Sequence, residues 1–363
     1  MKKLLLLLAL LLLPVASASW LTPIKISGEK TIPFSNIFTI GNVTYVFWKG
    51  NGIEYAIIKG GSIENGIVYN KSIQTFSIFY DKTFHIVFSQ DGILNYIEFA
   101  NGSILRHATL QTFNATEPDL AVDKDGKLHI VWIEETKEGR EVYYGTLKEN
   151  FTKMRLTSSN YTCRRPRIKI DGYGYIHILW HEMNIRRVMY AKLYGDKVIL
   201  RKTLKDKDAY WISFDIDVEN NLHIAWQDGK IGKGNILYMK MKNSSIIMKK
   251  IISRGNDMKP NLKIDREGNA HIVWQTENSL YHAVIKKSIK VERIIKIKHV
   301  QYPLISLGYN NTPNVVFYRW EGGEEPFIIY YTFKTGEERK TPIEFYLIIA
   351  AFIIAVAYKK YFN

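Results

Sequence analysis

The chain has 363 residues and carries 50 Lys and Arg against 35 Asp and Glu, a net charge of +15. A hydrophobic content of 46 % with 23 % charged residues excludes a disordered chain. Its single cysteine, Cys163, excludes an intramolecular disulfide, a thiolate zinc site and a CxxC redox centre.

At the N-terminus, Met1-Lys2-Lys3 precedes the apolar run 4–13 and the small residues Ala16-Ser17-Ala18. These are the parts of a signal peptide over 1–18, cleaved after Ala18. An apolar helix of ten residues spans only about 15 Å, half of the hydrocarbon core, which argues against a retained anchor. Residues 22–27 (TPIKIS) read as one strand with no partner nearby in sequence.

Beyond it the sequence repeats. PDLAVDKDGKLHIVW (118–132), PRIKIDGYGYIHILW (166–180), ISFDIDVENNLHIAW (212–226) and PNLKIDREGNAHIVW (260–274) align without gaps. Each has an Asp six residues before a His and a Trp three after it. The sets are Asp123, His129 and Trp132; Asp171, His177 and Trp180; Asp217, His223 and Trp226; Asp265, His271 and Trp274. Weaker copies end at Trp48, Phe88 and Phe317, so seven landmarks recur at spacings of 40 to 48. In the last full copy, 261–265, 270–274, 279–285 and 288–297 read as four strands. Four short antiparallel strands per unit predict an all-β, seven-bladed β-propeller over 19–335. The seventh unit offers only three strands, at 303–307, 314–319 and 327–333. The spare strand 22–27 is expected to supply the fourth, which closes the ring and removes an open edge.

After a linker at 336–342, residues 345–358 (FYLIIAAFIIAVAY) carry no charge and Lys359-Lys360 follow. With lysines that snorkel and aromatic residues at the interface, 343–360 is read as a membrane helix with a basic cytoplasmic tail to 363. The propeller then faces the outside. Eight N-x-[ST] sequons agree, at Asn42, Asn70, Asn101, Asn114, Asn150, Asn160, Asn243 and Asn310. Chance would give roughly two or three. Export with many sequons and no cystine fits an archaeal surface protein better than an animal one.

The unit D-x-x-G-x-x-H-[IV]-x-W resembles the degenerate BNR-type, sialidase-like propellers, best over the four aligned segments. The resemblance implies the scaffold. No segment carries the serine and threonine of a true Asp box, and the sialidase arginine triad with its Tyr–Glu pair falls on no set of positions here. Arg164, Arg165 and Arg167 crowd one segment instead.

The recurrent histidines, including His85, sit on second strands of different blades and cannot converge on one ion, so no metal and no cofactor is expected. Each is expected to bond the Asp six residues earlier or a turn backbone. Asp123-Lys-Asp125-Gly126 lacks the later acids of a calcium loop and reads as a tight turn. Acids follow the landmark aromatics at Glu134, Glu135, Glu182, Asp228, Glu277 and Glu321, read as loops from second to third strands. Loops that enter first strands carry Glu117, Arg165, Trp211, Lys259 and Tyr302 at aligned positions. In a propeller both loop sets share one face. The candidate ligand site is therefore Glu117, Glu134, Arg165, Glu182, Trp211, Asp228, Lys259, Glu277 and Tyr302, with no catalytic residue assigned. Carboxylates with aromatic platforms suit sugars, so the expected partner is an extracellular glycan or an envelope protein. Dispersed edge lysines on an exported chain argue against nucleic acid. The alternatives are a glycoside hydrolase, which needs a carboxylate pair such as Glu134 and Glu182 about 5–10 Å apart, and a structural subunit of the envelope. Unit lengths that differ by only eight residues leave no long insertion on one face, which favours binding.

Overall fold

The computed structural model describes residues 19–27, 31–158, 161–230, 233–322 and 327–335. The signal peptide, the linker and the membrane segment read from the sequence lie outside the described residues. Among the described residues no helix is long and apolar enough to cross a membrane, and all regular structure is strand.

Residues 32–69, 75–109, 115–155, 163–205, 209–254 and 258–296 each fold into one sheet of four antiparallel strands paired in chain order. These are blades 1 to 6. Blade 7 is formed by Val300–Leu307, Pro313–Arg319 and Ile328–Phe333, with Ile24–Lys25 as its outer strand. Ile24 pairs with Tyr331 and Lys25 with Tyr330, and Ile26 N–H donates to Ile329 O at 2.9 Å. First strands contact each other in sequence round the ring, which closes where Ile32–Ile40 meets Val300–Leu307. The described chain divides into a unit within 22–332 and a smaller one whose described residues are 19–21 and 333–335. In the smaller unit, Leu21 N–H donates to Phe333 O at 3.0 Å and Thr335 N–H to Ser19 O at 2.9 Å.

The apolar core lies between blades, because every second residue of the inner strands is apolar and turns to a neighbouring sheet. Trp132, Trp180, Trp226 and Trp274 are 0, 1, 3 and 1 % exposed. Trp132 packs with Val87, Leu94 and Tyr96 of blade 2, and Trp180 with Val131 and Val142 of blade 3.

The repeated Asp and His form a hydrogen-bonded relay in each aligned blade. Asp123 Oδ1 accepts the N–H groups of Asp125 and Lys127, both at 2.9 Å, and so fixes the turn. Its Oδ2 lies 3.1 Å from His129 Nε2, while His129 Nδ1 lies 2.7 Å from the Tyr144 hydroxyl. With the carboxylate ionised, Nε2–H donates to it and Nδ1 accepts from the tyrosine. The same relay joins Asp171, His177 and Tyr190 at 3.0 and 2.8 Å, and Asp217, His223 and Tyr238 at 2.9 and 2.7 Å. In blade 6, His271 bonds Asp265 at 3.3 Å and His282 replaces the tyrosine at 3.1 Å. In blade 2, His85 reaches Tyr96 at 2.8 Å, but its carboxylate is Asp81, four residues earlier, at 3.2 Å. Burial holds His129, His177 and His223 below the ordinary histidine range and lowers His271 to about 4.

Candidate functional site

The seven first strands surround an axial cavity of about 720 Å³. They all run inward from one face, where the chain enters each blade, so their early residues form a mouth there. Blade 1 carries a β-bulge between Ile32 and Ser35 with no positive φ in it. Five more bulges at this level lie between Thr116 and Asp119, Arg164 and Arg167, Tyr210 and Ser213, Met258 and Asn261, and Gln301 and Leu304. The first bulge residue in each of these five has positive φ: Glu117 (53°), Arg165 (53°), Trp211 (52°), Lys259 (54°) and Tyr302 (52°). A left-handed non-glycine residue carries local strain, and five at one level of a ring are held there by the closed sheet arrangement. All five line the cavity.

These side chains bind one another. Glu117 Oε1 accepts from Arg164 Nε at 2.6 Å and from Arg140 at 3.4 Å, while its Oε2 accepts the Arg165 N–H at 2.6 Å. The Arg165 guanidinium lies 3.7 Å from the centre of the Trp211 ring. Lys259 Nζ sits 3.3 Å from the Tyr302 ring centre and 5.2 Å from that of Trp211, and donates to Gln301 Oε1 at 3.1 Å. Trp211 and Tyr302 meet edge to face at 5.6 Å. Burial, with Arg165 close by, lowers Lys259 to about 7. Burial lowers Arg165 to about 10, which leaves it charged at neutral pH, and raises Tyr302.

In blades 3 to 5 the second strands run two to four residues past the tryptophan at which they were expected to end, and this separates the acids from the mouth. Glu134, Glu182 and Asp228 lie within second strands Leu128–Thr136, Tyr175–Glu182 and Leu222–Lys230, outside the cavity lining. In a strand, residues two apart face the same way, so each acid lies beside its own tryptophan. Trp132 Nε1–H donates to Glu134 Oε1 at 3.1 Å and Trp226 Nε1–H to Asp228 Oδ1 at 3.4 Å. Lys153 pairs with Glu134 at 3.1 Å, Lys205 with Asp228 at 2.9 Å and Arg187 Nε with Glu182 at 2.7 Å. Glu134 and Glu182 are buried, and this corrects their assignment to a ligand-binding mouth. Glu135 and Glu277 are exposed outside the cavity lining, and Glu321 bonds Arg319 at 3.1 Å.

Below the mouth, alternate residues of the same strands continue the lining: Asp119, Arg167 and Lys169, Ser213 and Asp215, Asn261 and Lys263. The sequence reading passed over most of these. Their signal was present in Arg165-Pro-Arg167-Ile-Lys169 and Lys259-Pro-Asn261-Leu-Lys263, where polar residues alternate along a strand after a proline. Asp119 accepts from Ser77 Oγ at 2.6 Å and Ile168 N–H at 2.9 Å. Asp215 accepts Ile264 N–H at 3.2 Å and pairs with Lys169 at 3.6 Å. Behind this wall His181 is buried, neither ring nitrogen has a hydrogen-bond partner among the described residues, and burial with Arg165 and Arg167 lowers it to about 3.

Six cations line the cavity, Arg164, Arg165, Arg167 and Lys169 from blade 4 with Lys259 and Lys263 from blade 6, against three acids, Glu117, Asp119 and Asp215. The lining from blades 1, 2 and 7 holds no charged residue. The cavity thus has one basic, aromatic wall and one neutral wall. Among the described residues no group of three or more His, Cys, Asp or Glu could hold a metal ion.

The chain matches no family model and no curated protein. Solved structures with its fold include an ulvan lyase, a polysaccharide lyase bound to -[GlcA(1-4)Rha3S]- (11 % identity, TM-score 0.63, 87 % of this chain and 96 % of that one). The virginiamycin B lyase of Staphylococcus aureus is similar too (11 % identity, TM-score 0.57, 87 % and 99 %). So is the Aleuria aurantia lectin with α-methyl-L-fucoside (10 % identity, TM-score 0.50, 75 % and 97 %). At these identities the likeness is one of fold, a β-propeller repeat protein.

Proposed function

We propose that this propeller is a cell-surface recognition module whose axial mouth binds an acidic extracellular glycan without breaking a bond. The observation that carries the reading is the wall of blades 4 to 6, where Arg165 and Lys259 flank Trp211 beside Tyr302. Aromatic rings offer a sugar its stacking platform, and cations within a concave, low-dielectric site favour a carboxylate or sulfate. A saccharide bound to the ulvan lyase and one bound to the lectin are precedents for this ligand class on the fold. The pair Glu134 and Glu182 considered for a hydrolase lies away from the cavity, each in an ion pair. The acids that line it, Glu117, Asp119 and Asp215, are each hydrogen-bonded or paired within the wall. The repeat is a divergent form of the BNR type in this reading.

Titration of the full chain with glucuronate and with a hyaluronan tetrasaccharide by calorimetry tests it. Binding is expected in the wild type and is expected to weaken at least tenfold in Trp211→Ala and Arg165→Ala. Affinity should also rise as pH falls from 8 to 6, because Lys259 gains its proton across that range. A chromogenic glycoside panel that gives turnover, or saccharide binding untouched by both substitutions, would falsify the proposal.

Display outside the cell, with 1–18 as export signal and 343–360 as anchor, belongs to the same proposal. The seven described sequons are all exposed. Five of them, Asn42, Asn101, Asn150, Asn243 and Asn310, lie at turns on the face opposite the mouth, so glycans there leave the mouth open. Protease added to intact cells should remove the propeller; an ectodomain that survives in sealed cells contradicts this placement.

A further inference from the structure

The mouth is only the first rung of the basic wall. Blades 4, 5 and 6 contribute one residue each to successive rungs: Arg165, Trp211 and Lys259, then Arg167, Ser213 and Asn261, then Lys169, Asp215 and Lys263. In the third rung two lysines flank one carboxylate. Lys169 takes that carboxylate at 3.6 Å, whereas Lys263 Nζ has no hydrogen bond or ion pair among the described residues. The other acid near this level, Asp119, already accepts from Ser77 and Ile168. Those hydrogen bonds leave Asp119 its charge, which acts on Lys263 together with that of Asp215. Counted with Arg167 one rung above, the lower wall holds three cations against these two acids and keeps one positive charge in excess, facing an open cavity. The repulsion of Lys169 is the first cause that lowers Lys263, with burial second, so an anion between them relieves both.

We propose that Lys169 and Lys263 form a second anion site below the mouth, and that the ligand is a glycan with one negative charge per disaccharide, inserted end-first along the axis. This rests on the mouth's binding an acidic saccharide. The spacing carries the choice of ligand. Four residues separate Arg165 from Lys169 and Lys259 from Lys263. At about 3.3 Å per residue, less one residue absorbed by the bulge, the rungs lie about 10–13 Å apart. That separation matches alternate sugars of a chain rather than two groups on one ring. On the neutral wall Ser306 donates to Thr39 at 2.9 Å and Ser77 to Asp119 at 2.6 Å. The Ser77 and Ser306 oxygens keep acceptor capacity for the hydroxyls of the uncharged sugar between the two charged ones.

The test compares glucuronate, whose single charge engages one anion site at a time and meets the mouth first, with the hyaluronan tetrasaccharide, whose two carboxylates stand one disaccharide apart and can engage both. Both are titrated into the full chain. The tetrasaccharide should bind at least tenfold more tightly than glucuronate. Lys263→Met should weaken the tetrasaccharide about ten- to hundredfold, leave glucuronate unchanged, and be rescued by Lys263→Arg. Equal losses for both ligands, or no loss for the tetrasaccharide, overturn the second site while the mouth reading stands. If neither saccharide binds the wild type, the mouth reading itself falls. Tighter binding of a single-stranded oligonucleotide than of the tetrasaccharide assigns the wall to another polyanion and overturns the ligand class.

Discussion

Replacing Trp132 by Ala is expected to destabilise the propeller by about 3–5 kcal/mol, read as a shift of the urea midpoint. The indole is fully buried between blades 2 and 3, stacked on Tyr143 at 5.9 Å and tilted against Phe151 at 5.9 Å. Its removal opens a cavity that sheets tied into a ring cannot collapse to fill. Two further groups feel the loss. A Cβ at Gly145 would stand 2.5 Å from Thr152 O and 2.9 Å from Trp132 Cη2, so the indole packs directly on this glycine and leaves a bare backbone surface when removed. Glu134 loses the indole N–H and keeps Lys153 as its main partner. Trp132→Phe separates these contributions, since it keeps most of the burial and removes only the donor; about 1–2 kcal/mol is expected. A loss below 1 kcal/mol for the alanine variant would contradict the inter-blade packing.

The second large effect is on acid stability. The propeller should lose stability steadily as pH falls from about 7 to 4. Burial holds His129, His177, His223, His271 and His181 below the ordinary histidine value, the last two at about 4 and about 3. In the unfolded chain the same rings take up a proton near pH 6.5. Between that pH and the folded values the unfolded state binds more protons, so stability falls as pH falls. For His181 and His271 the loss by pH 5 is roughly 2 kcal/mol each, and further acidification adds to it. Below about pH 4 the aspartates of the relays continue the trend, since hydrogen bonds hold Asp123, Asp171, Asp217 and Asp265 below the usual carboxylate range. Asp257 opposes it weakly, because burial raises it. Melting temperatures at pH 7 and pH 5 decide the matter, and His181→Leu should make the dependence shallower. A melting temperature that stays level across this range would show that the histidines are not held neutral.

The inter-blade tryptophans and the Asp–His bonds were legible in the sequence, and the reason is local; His181, which lies outside the repeated set, was not. The Asp and the His bond each other within one blade, so a single stretch of chain displays that half of the relay, while its tyrosine stands on the next strand. The blade count followed from seven aromatic landmarks for the same reason. The mouth was harder. Glu117, Arg165, Trp211, Lys259 and Tyr302 aligned, but they read as loop residues, because nothing in residue type alone announces a bulge that bends a continuing strand. The prolines after Glu117, Arg165, Lys259 and Tyr302 were the available sign, since proline inside a strand is confined to edges and bulges. The acids Glu134, Glu182 and Asp228 misled through a shift of two residues. Had the strand ended at the tryptophan they would have reached the rim; with the strand prolonged, their side chains turn back beside the indole. Lys169, Asp215 and Lys263 come together only because the ring brings distant blades to one axis, which no single repeat can show.

The central claim is that the basic wall of the axial cavity holds an acidic saccharide. A crystal of the full chain soaked with the hyaluronan tetrasaccharide tests it most directly. Density is predicted inside the cavity, with one carboxylate at Arg165 and Lys259, a sugar ring on Trp211 or Tyr302, and a second carboxylate between Lys169 and Lys263. An empty cavity with saccharide only on the outer strands, or no saccharide at all, would contradict the account.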